Sequence, residues 1–116
     1  MDIKEKVMTT LLQVTQDVTF LSRDDDGTFP FVVFNITEVP VNFEDDDDAA
    51  TLFLVAVNIF SKPEYNFESM KIDIIKAMKD AGFKKQQTPP AEFLEKENVY
   101  NQPLAFSIYK ENQEEF

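Results

Sequence analysis

The segment 51–60 constrains this chain more than any other. Its side chains alternate as a β-strand requires, with Phe53, Val55, Val57 and Ile59 pointing one way and Leu52, Leu54, Ala56 and Phe60 the other. A second strand is predicted over 29–39, where Phe31, Val32, Val33 and Phe34 are apolar on both faces and so ask for cover on both sides. Pro30 and Pro40 sit at its start and just past its end, where a missing N–H is tolerated. Between the two strands runs Glu44-Asp45-Asp46-Asp47-Asp48. Five adjacent like charges repel one another and favour a solvated loop, so 29–60 reads as a long hairpin with a charged tip.

Helical periodicity flanks this hairpin. In 2–16, Ile3, Val7, Leu11 and Val14 share a face that Met8 and Leu12 widen, and Asp2 suits the N-cap. In 66–81, Phe67, Met70, Ile74 and Met78 repeat at three- and four-residue spacing, flanked by Ile75 and Ala81. Asn66 is placed to cap this second helix and Gly82 to stop it. A short β-prone stretch at 18–21 ends in the turn-rich Arg23-Asp24-Asp25-Asp26-Gly27. A strand opening at 83–85 is broken by Thr88-Pro89-Pro90 and resumes at 92–96. Residues 104–110 alternate again, Leu104, Phe106 and Ile108 against Ala105, Ser107 and Tyr109, and 111–116 is a polar tail expected to fray. The predicted order is α-β-β-β-α-β-β. It describes a single α+β domain over 1–116, with a small antiparallel or mixed sheet of four to five strands and two helices packed on one face.

Composition narrows the chemistry. The chain has no Cys and no His, so thiolate metal sites, disulfides, and Ser/His or Cys/His nucleophiles are excluded. Its two glycines, Gly27 and Gly82, are too far apart for a phosphate-binding loop. The run Asp24-Asp25-Asp26-Gly27 fails as a calcium loop. With Gly27 as the sixth residue, Ser22 would lead and Val33 would stand where a glutamate is required. No pair of carboxylates is marked as an acid and base. The expectation is a protein without enzymatic activity, metal or cofactor. Its charge of −11 disfavours direct binding to nucleic-acid phosphates or anionic membranes and favours protein partners. The start of the chain is charged and no apolar stretch of membrane-spanning length follows, which predicts a cytoplasmic protein or part of a soluble assembly. Twelve phenylalanines exceed what one small core needs, and some of that surface is expected to meet another subunit.

Several stretches resemble a known family. Val57-Asn58-Ile59-Phe60-Ser61-Lys62-Pro63-Glu64-Tyr65 is similar to the strand-to-helix passage of tail completion, or tail-to-head joining, proteins of long-tailed bacteriophages and prophages of Gram-positive hosts. The helix end Lys76-Ala77-Met78-Lys79-Asp80-Ala81-Gly82-Phe83 resembles the element that follows in that family. Glu92-Phe93-Leu94-Glu95 and Val99-Tyr100-Asn101-Gln102-Pro103-Leu104-Ala105-Phe106 resemble its final strands, and Gly27-Thr28-Phe29-Pro30-Phe31-Val32-Val33-Phe34 its first long one. The likeness spans about 27–110 and consists of structural patterns. Phe60 stands where that family commonly has tryptophan, and the acidic run at 44–48 is unusual for it. The resemblance implies a subunit of a hexameric ring, terminator-like, that caps the tail tube and joins it to the head connector. Its partners would be copies of itself, tail-tube proteins and connector proteins, with DNA passing through the ring without specific binding. Its place would be the virion, and the host cytoplasm during assembly. The expected contact residues are Phe34, Phe43, Glu44, Asp45, Asp46, Asp47, Asp48 and Phe60. The competing expectation is an acidic cytoplasmic interaction module, an inhibitor or adaptor of a basic partner, unrelated to phage.

Overall fold

In a computed structural model, which describes residues 2–21, 29–43, 46–65 and 67–111, the order is helix α1 (Ile3–Leu12), strands β1 (Val18–Phe20), β2 (Phe31–Phe43) and β3 (Asp46–Ser61), helix α2 (Phe67–Asp80), and strands β4 (Lys84–Lys85), β5 (Glu92–Leu94) and β6 (Val99–Glu111). The fold is α+β with a mixed sheet of six strands. The expected element order holds except that the interrupted strand at 83–96 is two short strands. Both pair with β6 along the same side, Lys84 opposite Ser107 and Leu94 opposite Val99. Between them the Gln102 side chain, buried, donates from Nε2 to the carbonyl of Pro89 at 3.0 Å and holds the proline segment against the sheet.

The hairpin is the spine. β2 and β3 pair antiparallel from Phe31 opposite Phe60 out to Phe43 opposite Asp46, and β6 runs antiparallel on the other side of β3 from Tyr100 to Glu111. β1 adds to β2 in parallel over Val32 to Phe34. Its bonds are specific about direction. The Val32 N–H donates to the Asp17 carbonyl and the Phe34 carbonyl accepts from Leu21 N–H, so the even residues of β2 turn their backbone groups away from β3. Pro40 continues that even series. Its missing N–H therefore costs no bond to β3 and removes a donor from the open edge.

Both helices lie on one face of the sheet. Ile3, Val7 and Leu11 of α1 and Ile74 and Met78 of α2 meet Val32, Phe34, Val55, Val57, Leu104 and Phe106, all buried. Phe67, Met70, Ile75 and Ala81 pack at the edge of this core, as their spacing predicts. The Asp2 carboxylate accepts the Glu5 N–H at 2.8 Å and caps α1. That helix is shorter than 2–16. It ends at Leu12 because the next N–H groups double back on Thr10 and Leu11, and the Thr15 hydroxyl takes the Asp17 N–H, a local bond that competes with helix continuation. Leu12, expected on the apolar face, is exposed. α2 stops as expected at Gly82, whose φ of 97° is open to glycine, with Phe83 N–H bonding back to the Met78 carbonyl. The proposed Asn66 cap, the turn at 23–27 and residues 112–116 of the expected tail lie outside the described residues, while Glu111, expected to open that tail, ends β6.

Candidate protein-binding surface

The alternation that buries one face of β2, β3 and β6 leaves the other uncovered by either helix. That second face spans Phe31 to Val39, Leu52 to Phe60 and Asn101 to Tyr109, five positions on each strand, of which Phe31 and Ser107 are already buried within the chain. In a chain that is 28% charged, none of these fifteen positions holds an acid, a lysine or an arginine. Glu38, the one charged residue in those stretches, belongs to the opposite set of the alternation. The middle of the face is small, Asn35, Ala56 and Ala105 in one rung, and the sheet is dished there into an open hollow of about 290 Å³. Toward the far end Val39, Leu54 and Tyr109 stand exposed. Single exposed apolar residues are ordinary, but a charge-free face carrying three of them has the composition of an interface centre.

The near end is aromatic. Phe31 stacks on Phe60 with centroids 5.0 Å apart and meets Phe29 at 5.2 Å. Leu94, Val99 and Glu97 complete a shallow cavity of about 210 Å³ there. The Lys62 ammonium lies 5.0 Å from the Phe29 ring centroid and donates to the Glu97 carbonyl at 3.1 Å, closing this end with a positive charge. The far end closes with the opposite sign. Glu111, the last residue of β6, follows Tyr109 on the same face. Lys84, opposite Ser107 on the short strand β4, marks the side rim. There Gln86 Nε2 donates to Ser107 Oγ at 2.7 Å.

The residues expected to make contacts fall in three places. Phe34 is fully buried, 5.1 Å from the Phe20 ring, on the helix-covered face; it is a core residue and presents no surface, because its position in the alternation matches Val32 and Ile36. Phe60 lies half-buried on the uncovered face against Phe31. Phe43 and Asp46 pair at the end of the hairpin. The acidic stretch is not all loop: Asp46, Asp47 and Asp48 continue β3, with Asn42 set against three residues in an irregular ladder between the Val41–Ala50 and Phe43–Asp46 pairs. Glu44 and Asp45 lie outside the described residues. Among the described residues no cluster of three or more carboxylates is set to hold a metal, and no helix is long and apolar enough to cross a membrane.

Leu54, Tyr109 and Lys62 were not anticipated as surface determinants. The signal for Leu54 and Tyr109 is in the sequence, since neither 51–60 nor 99–109 contains a charged residue, whereas Lys62 lies outside both stretches. Its meaning depends on which face the helices cover. The sequence matches no protein-family model and no curated protein.

Proposed function

We propose that this chain is a structural subunit that works by binding protein, and that its assembly is a ring at the head-proximal end of a long-tailed phage tail. The observation that carries the binding role is the uncharged, helix-free face of the β2–β3–β6 sheet. The elongated body supports the same role. Its extents are 53 × 25 × 24 Å and its radius of gyration is 15.5 Å, against about 13 Å for a compact domain of this length. A hairpin that projects past its own helices gives up burial within the chain, and a neighbouring subunit can supply the missing contacts. The ring and the phage tail rest on the resemblance of the stretches in 27–110 to tail completion proteins. An acidic ring would also repel DNA and let it pass without adhering.

The test is direct. Purified protein is mixed with tail tubes and viewed by electron microscopy, and the assembled species is counted by native mass spectrometry. Rings of six that cap one end of the tube are expected. Failure to bind tubes or connectors at saturating protein would overturn the phage reading. The charge of −11 favours one other role, adaptor or inhibitor of a basic partner. Binding of that kind would weaken steeply with salt.

A further inference from the structure

We infer that the uncharged sheet face is self-complementary and pairs two copies of the free subunit, sheet on sheet, about a twofold axis that crosses the strands near Ala56. This concerns the subunit before any larger assembly and does not rest on the ring.

Three observations select a second copy as the occupant. The first is neutrality. A partner recognised by charge finds nothing to hold over the fifteen central positions, whereas an equally neutral face does, and every copy of this chain brings one. The second is the arrangement of the charges that close the face. Lys62 follows Phe60 at one end of β3, and Glu111 pairs with Ala50 at the other end. Glu111 belongs to the uncovered face by alternation with Tyr109, and Lys62, just past the end of β3, is held at the other end of that face by the Phe29 ring and the Glu97 carbonyl. Stacking two copies with their strands running oppositely sets the Lys62 end of each over the Glu111 end of the other. Residue 56 is midway between 62 and 50, so the axis falls on the Asn35–Ala56–Ala105 rung, where the side chains are small and the sheet is dished. The third is size. Three strands about 4.8 Å apart and nine residues long give a footprint of roughly 14 by 30 Å, or about 430 Å² before side-chain relief. That is near the largest apolar patch a monomer usually exposes and little more than half of one partner's share of a standard interface, which fits a weak, reversible dimer rather than an obligate one.

The test uses the whole chain. Sedimentation and small-angle scattering from micromolar to millimolar concentration should show a reversible monomer–dimer equilibrium. Leu54→Glu places a charge in the centre on both copies and should weaken the dimer about a hundredfold, with the far-ultraviolet spectrum unchanged. Ile72→Glu, on the exposed side of α2, should leave it unchanged. Lys62→Glu and Glu111→Lys should each weaken it several-fold, and the double variant should recover it, because the two swapped charges meet across the axis. The chain has no cysteine, so Ala56→Cys supplies a sole thiol. A bismaleimide of about 10 Å reach, the spacing of stacked sheets, should link Ala56→Cys into dimers and leave Ile72→Cys monomeric. A protein that stays monomeric at millimolar concentration, or one whose dimer survives Leu54→Glu, overturns the inference. So does a double charge swap that fails to recover the dimer.

Discussion

The two faces of the β2–β3–β6 sheet are built from the same strands, residue by residue in alternation, yet they do different work. The helix-covered face carries Phe34, Val55, Val57, Leu104 and Phe106, each at most 2% exposed. The opposite face carries Leu54, Val39 and Tyr109 at 39%, 36% and 47%. Hydrophobicity alone does not separate them, since both lack charge through their middle. What separates them is cover. α1 and α2 both pack on the same face, where Ile3, Val7, Leu11, Ile74 and Met78 join its core, so that face is enclosed and the other stays open at Val39, Leu54 and Tyr109.

Truncating the covered face should give the largest effect. Phe34→Ala or Phe106→Ala should cost about 3–5 kcal/mol of unfolding free energy, read by denaturant titration, because each side chain is fully enclosed. A loss under about 1 kcal/mol would break the contrast between the faces. Met78→Ala tests the helical side of the same core and should cost about 2–5 kcal/mol. Next come the two helix ends that hold the cover in place. Gly82→Ala has room, its added Cβ meeting only Ile108 Cδ1 at 3.9 Å, but the φ of 97° is strained for alanine and should cost about 1–2 kcal/mol. Asp2→Ala removes the cap on α1 and should cost about 1 kcal/mol, seen as a lower thermal midpoint. The smallest change in stability should follow Leu54→Ser on the open face, within about 0.5 kcal/mol. A Leu54→Ser chain that unfolds as readily as Phe34→Ala would mean the second face is also core.

Much of this organisation is legible in the sequence, and the reasons are local. The helical spacing of Ile74 and Met78, the stop at Gly82 and the strict alternation of 51–60 and 104–110 all depend on near neighbours and appear as expected. The errors share a different origin. Phe34 reads equally well as core or contact, since Val33 and Phe34 are both apolar and alternation does not say which points inward. Alternation finds β6 only from Leu104, because Asn101, Gln102 and Pro103 interrupt the pattern before it, although the resemblance extends back to Val99. These residues become strand-like because β3 and β5 pair with them. Asp46, Asp47 and Asp48 look like loop because like charges repel, yet they extend β3.

By itself, then, the sequence determined that this chain folds around a long apolar hairpin with two amphipathic helices, and that thiol and imidazole chemistry is closed to it. Periodicity, capping and missing residue types are properties of short stretches and need no knowledge of the rest. Only the tertiary structure decided which face of the hairpin the helices take. It also brought Lys62 and Glu111, 49 positions apart, to opposite ends of the face left open. Cover and end-to-end charge arise from strand register, and register is set jointly by segments far apart in the chain.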